Sequence, residues 1–179
     1  MSDFDRALPV VLEAEGGDYD GSQPWDPNPT HDGITQTEYD RHRAANEQPP
    51  QSVFQMSDAE RDAIYMTDYW VPSHADALAW PMSLFQFDFY VNTAPHRAIA
   101  TLQRTINRTT GLHVDVDGAW GPQTESAVRQ GFPLPAGPLT LLIERLLEYE
   151  DIVKHDPVKV TPLWKEWIPR VANLYRRFT

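Results

Sequence analysis

The sequence contains no cysteine, which removes disulfide frameworks, zinc-thiolate sites and cysteine nucleophiles together. Any chemistry falls to carboxylates, hydroxyls or histidines. Positive charge is also scarce: 15 Lys and Arg stand against 26 Asp and Glu, a net charge of -11. Such a chain repels phosphate backbones and anionic lipid heads, and only Arg176-Arg177 near the end offset this locally, so nucleic acid is not expected as a partner. There is no run of about 18 apolar residues to span a bilayer, and stable membrane insertion is not expected. The opening MSDFDRALPVV puts acids where a secretory signal has a positive region and a long apolar stretch; the expectation is a start in the cytoplasm without Sec-type export. The six histidines show no ligand spacing such as His-Glu-x-x-His, so neither metal nor cofactor is expected.

What is present suits a folded domain. At 179 residues with 41% hydrophobic and 23% charged residues, the chain can bury a core and has ordinary globular composition. Phe4, Ala7, Leu8, Val11 and Leu12 recur at helical spacing, with Asp3 as N-cap, and predict a helix over 3–14 that stops at Gly16-Gly17, with Pro9 an awkward guest. Residues 18–33 are dense in Asp, Asn, Pro and Gly and predict an irregular loop or small hairpin. Thr35-x-x-Glu38 and Ser57-x-x-Glu60 are capping boxes, predicting helices from about 36 and 58, the second reaching Tyr69-Trp70. A short helix over 73–79 leads to one over 81–92, MSLFQFDFYVN, too apolar for a surface and so the buried centre. Ala94, Ala98, Leu102 and Ile106 mark a further helix ending at Gly111, and another is predicted near 123–130. A Pro- and Gly-rich linker follows at 133–138. Beyond it, Leu139, Leu142, Ile143, Leu146 and Leu147 give the clearest apolar stripe, and Trp164, Trp167, Ile168, Val171, Leu174 and Phe178 a second, bent at Pro169. The fold class is mainly α.

Glu15 sits where a helix runs out into two glycines. A rigid element would fix its carboxyl while the following backbone, lacking side chains, leaves room for a bulky ligand, an arrangement suited to a general acid acting on a polymer. Glycoside hydrolysis needs such an acid and usually a second carboxylate; Asp18, Asp20, Asp26 and Asp32 in the next loop are the candidates. Glu-Gly-Gly alone is more often an ordinary helix end and by itself decides nothing. Asp18-x-Asp20-Gly21 and Asp115-x-Asp117-Gly118 lack the rest of a calcium loop and read as turns. Aromatic faces can stack on sugars, and Tyr19, Trp25, Tyr39, Trp70 and Trp120 are candidates, with core packing the commoner role for each.

Glu15-Gly16-Gly17, read with Tyr19, Asp26-Pro27, Thr30, Gly33-Ile34-Thr35 and Tyr39, resembles the opening of glycoside hydrolase family 108, phage-type muramidases. The similarity continues through Tyr69-Trp70, Phe87-Asp88, Val91-Asn92, Ala98 and Leu102-Gln103. Asp117-Gly118, Trp120-Gly121-Pro122, Thr124, Arg145, Tyr149, Trp167 and Arg170-Val171 resemble the peptidoglycan-binding module that follows this segment in the family. Asn28-Pro29 departs from the pattern, standing where two glycines are expected.

The resemblance implies a lysozyme-like fold with a catalytic segment over 1–92 and a glycan-holding segment over 93–179 packed on it as one body. It implies an endolysin, acting as a monomer, that cuts the β-1,4 bond between N-acetylmuramic acid and N-acetylglucosamine, with Glu15 as general acid. Asp26 would steady the oxocarbenium-like charge or hold a water, and Thr30 would orient that water; Asp32 is the alternative to Asp26. Tyr19, Trp25, Tyr39, Trp70 and Asn92 are the expected substrate contacts. Such an enzyme waits in the host cytoplasm and reaches the periplasm and wall through a holin or another signal-independent route. Two rivals stay open on the sequence: a non-catalytic peptidoglycan-binding or virion-associated protein, and a lytic transglycosylase using one Glu without water.

Overall fold

The structure, a computed structural model, describes residues 1–22 and 27–178. It is mainly α-helical with one two-stranded sheet and divides into two compact units, Met1–Val71 and Pro72–Thr179.

In the first unit, α1 (Asp3–Glu15) buries Phe4, Ala7, Leu8 and Val11, as the spacing requires. Its N-cap is Ser2, one residue earlier than expected: the Ser2 hydroxyl accepts from the Asp5 N–H, and the Asp5 carboxylate accepts from the Ser2 N–H. A serine with a carboxylate three residues on satisfies two orphan donors, where Asp3 alone would satisfy one. Pro9 lies inside the helix on its exposed side, so the carbonyl deprived of a donor faces water. After Gly16 and Gly17, Tyr19 bridges antiparallel to Thr30. The strands β1 (Thr30–His31) and β2 (Ile34–Thr35) then form a hairpin closed by Asp32-Gly33, both at positive φ, as a two-residue turn matched to strand twist demands.

Both predicted capping boxes are present, Thr35 with Glu38 opening α2 (Gln36–Ala45) and Ser57 with Glu60 opening α3 (Asp58–Ile64). The run from α3 continues as a π-helical turn over Tyr65–Trp70. Arg43 of α2 donates to the Glu60 carboxylate at 2.6 Å and to the Tyr39 hydroxyl at 3.0 Å, tying α2 to α3. Burial pushes the Glu60 carboxyl up, but the Ser57 hydrogen bonds, Tyr39 and Arg43 outweigh it and hold the group below its ordinary value.

The second unit is organised around α4 (Met82–Asn92), in which every residue from Met82 to Tyr90 is buried, the predicted central helix. The expected short helix over 73–79 is a single 3₁₀ turn, Ala75–Ala77. Around α4 lie α5 (Pro95–Thr109), α6 (Pro122–Arg129), α7 (Ala136–His155), the three-residue α8 (Val160–Pro162) and α9 (Ile168–Phe178), the last entered through a π-helical turn, Leu163–Trp167. The apolar stripe read for α7 is not its buried face. Ile143, Leu146 and Leu147 are exposed, while Leu141, Leu142, Glu144, Arg145, Glu148 and Tyr149 are buried. Charged residues can turn inward here because each meets a partner: Glu144 and Glu148 pair with Arg97, Arg104 and Arg108 of α5, and Arg145 meets Asp88 at 2.5 Å.

Asp88 on α4 is the centre of that interior. It also binds Arg170 of α9 at 2.9 Å, and Arg145 donates to the Tyr149 hydroxyl, which donates to the Asn92 side-chain oxygen Oδ1. Burial pushes the Asp88 carboxyl up, but the two guanidiniums outweigh it and hold the group below its ordinary range.

Candidate active site

Glu15 is the last residue of α1 and is half-buried. The hairpin turn packs directly on its side chain. A methyl carbon added at Gly33 would stand 2.9 Å from the Glu15 Cβ, 3.3 Å from its Cγ and 2.6 Å from the Tyr65 hydroxyl. Only a glycine fits: φ there is +79°, and a side chain would displace the very residue the helix end presents. Tyr65 donates its hydroxyl to the Asp32 carbonyl at 2.9 Å. The end of α1, the hairpin turn and the π-helical turn after α3 therefore meet around Glu15.

Beside this junction runs a short ladder of charge. Arg61 on α3 donates to Asp32 Oδ2 at 3.0 Å, His31 Nε2 lies 4.0 Å from the same oxygen, and His31 Nδ1 lies 2.6 Å from Asp18 Oδ1. His31 and Asp32 are adjacent in the chain and stay within 4.0 Å of each other, while each has a closer partner, Asp18 for His31 and Arg61 for Asp32. Asp32 is thus held by a guanidinium one turn of hairpin away from Glu15, and Asp18 is paired with an imidazole at the loop's start. Asp20 takes a turn role, accepting from the Ser22 N–H, and the bonds to Ser22 hold its carboxyl below the ordinary value. Among the described residues no group of His, Asp and Glu is arranged to hold a metal ion.

The other expected residues separate. Thr30 and Tyr19 exchange two backbone hydrogen bonds, 2.9 and 2.7 Å, and the Thr30 hydroxyl donates weakly to the Asn28 carbonyl at 3.4 Å, leaving its lone pairs available to a water. Tyr39 has no exposed surface and Trp70 only 5%; neither ring can lie on a sugar. Both are core residues, Tyr39 committed to Arg43 and Glu60 and Trp70 set edge-on to Phe4. Asn92 sits in the second unit with its side-chain oxygen taken by Tyr149. Trp25 and Asp26 lie outside the described residues.

The Asn28-Pro29 departure has a structural role. Asn28 Oδ1 accepts from the Thr37 N–H at 3.3 Å, and the Pro29 carbonyl accepts from the Gln36 N–H at 2.7 Å, so the pair caps the start of α2. In the second unit, Gln103 gathers Asp117, Gly118, Ala119 and Thr124 with its one amide. Asp117 accepts from the Ala119 N–H, the turn role expected of it. Trp120 stacks on His74 at 4.0 Å.

Arg61, Tyr65 and Gly33 were not singled out as site residues in the sequence. A signal existed: Arg61 and Tyr65 are four apart in one helical run and so share a face, and a glycine after Asp in a hairpin turn marks close approach of backbone.

Residues 8–93 match the family model of glycosyl hydrolase 108. The matched span takes in α1 from Leu8 onward, the hairpin, α2, α3 and α4, and therefore Glu15, the hairpin turn, Arg61 and Tyr65. The match indicates a glycoside hydrolase. The chain is also similar to the solved structure of Brucella abortus SagA, at 26% identity over 98% of this chain and 92% of that one, with a TM-score of 0.71. No curated protein matches the chain.

Proposed function

We propose that the protein is a peptidoglycan hydrolase that cleaves the β-1,4 bond between N-acetylmuramic acid and N-acetylglucosamine, with Glu15 as the general acid. The observation that carries this reading is the packing of Gly33 on the Glu15 stem within the glycosyl hydrolase 108 segment. It fixes the acid at a helix end while adding no side chain in front of it. The carboxyl would protonate the leaving glycosidic oxygen as the ring flattens toward an oxocarbenium-like state.

Asp32, oriented by Arg61, or Asp26 would steady the developing positive charge or take a proton from an attacking water, and Thr30 would accept a hydrogen bond from that water. Attack from the face opposite Glu15 gives inversion; a carboxyl separation of about 5 Å would give retention. Tyr19 and Trp25 remain the aromatic candidates for sugar contact. Residues 93–179 would help hold the glycan. Delivery from the host cytoplasm to the wall by a holin or a similar route belongs to the same reading.

The test is mass spectrometry of purified Gram-negative peptidoglycan digested by the protein and by Glu15→Gln. Reducing muropeptides that disappear in the variant are expected. Anhydro products, one water lighter, would assign a transglycosylase, and intact glycan that binds both proteins would leave a binding protein.

A further inference from the structure

Charge is segregated along this chain. Residues 157–179 carry five Lys and Arg against a single Glu, net +4, while residues 1–156 carry -15. Arg170 is taken up by Asp88. Lys159, Lys165 and Arg176 are exposed, and none of the three has an ion-pair partner among the described residues. The basic end of an acidic protein therefore keeps its charge available.

Apolar side chains stand out beside these cations. Val158 is 82% exposed, Trp164 67% and Val160 44%, so Val158-Lys159-Val160 and Trp164-Lys165 each set a cation next to bare hydrocarbon. From Trp164 the stripe continues through Ile168, Ala172 and Tyr175. Those last three form one wall of an open apolar trough of about 320 Å³, with Leu139, Ile143 and Leu146 of α7 opposite. These are the residues of α7 that its buried face does not use.

We propose that this end of the second unit docks on an anionic phospholipid surface. Indole and aliphatic groups enter the boundary between headgroups and acyl chains, and lysines reach up to phosphates alongside them. The lysines are spread singly among Val158, Val160 and Trp164, which suits a plane of repeated charges better than one acidic peptide. Among the described residues no helix is long and apolar enough to cross a membrane, so the proposed contact is a peripheral one.

The experiment is co-sedimentation of the full chain with vesicles of phosphatidylcholine alone or mixed with phosphatidylglycerol in equal parts. The parent, Trp164→Ala and the double variant Lys159→Glu/Lys165→Glu are compared after circular dichroism has confirmed their folding. Binding is expected to the mixed vesicles alone and to weaken with salt. The double variant should lose at least about tenfold in partition and Trp164→Ala about fivefold. Purified, lipid-free peptidoglycan should still give Glu15-dependent reducing muropeptides with both variants, so this inference and the hydrolase reading fail separately. No binding to the mixed vesicles, or equal binding by the double variant, would overturn it. A concentration-dependent dimer abolished by the same substitutions would give the face to a second copy instead.

Discussion

Gly33 is the position at which the site is most sensitive to a single atom. Gly33→Ala would force a methyl group to within 2.6 Å of the Tyr65 hydroxyl and 2.9 Å of the Glu15 Cβ, at a φ of +79°. Strain and overpacking together should cost about 1–3 kcal/mol, read as a lower urea midpoint, and hydrolysis should fall further than stability does because Glu15 moves. Unchanged turnover in a destabilised variant would separate the glycine from the chemistry. Much at this scale was legible in advance. Glu15 at a helix end and the two capping boxes follow from local backbone needs, which a short stretch of sequence fully specifies. Arg61 and Tyr65 were not legible as partners of the hairpin turn beside Glu15, since nothing local says which distant helix packs on a hairpin turn. The same gap made Tyr39 and Trp70 look like sugar platforms: an aromatic residue does not carry its own burial in its name.

At the scale of elements, the second unit rests on a carboxylate shared by three helices. Asp88 of α4 binds Arg145 of α7 and Arg170 of α9. Asp88→Asn would leave two largely buried guanidiniums uncompensated and should cost about 3–5 kcal/mol near neutral pH. The pH dependence has a definite sign. A carboxyl whose folded value lies below its unfolded value of about 3.9 contributes stability above that value and loses it as pH falls through the depressed folded value. The difference between parent and Asp88→Asn, measured as urea midpoints, should therefore be full at neutral pH and close only in strong acid. A difference that does not vary with pH would mean that the charge of Asp88 is not what holds these helices. Helices were the most legible part of the fold, and α4 was recognised as central because a segment apolar on all sides has nowhere else to go. The reading of α7 failed for the complementary reason. Glu144, Arg145 and Glu148 look like a solvent face until Asp88 and the α5 arginines are known to meet them.

For the whole molecule, the net charge of -11 bears on any encounter with a wall polymer that is itself anionic. Repulsion is long-ranged at low salt and is screened within about 10 Å at 0.1 M, so hydrolysis of peptidoglycan should rise between low and moderate ionic strength. A steady fall from the lowest salt would show that attraction governs the encounter instead. Overall charge and the basic run at 157–179 are readable from the sequence, but that its lysines stand exposed beside uncovered hydrocarbon needed the structure.

The hairpin against Glu15 also sets an order of events during folding. A two-residue turn closes on the order of microseconds, and α1 needs only local bonds. Tyr65 reaches the Asp32 carbonyl from 33 positions away, a closure that must wait for α3 to dock and bear its entropy first. A nascent chain can hold its helix and its hairpin early and still lack the Tyr65 contact on the turn, so the packing around Glu15 should be completed only when α3 docks.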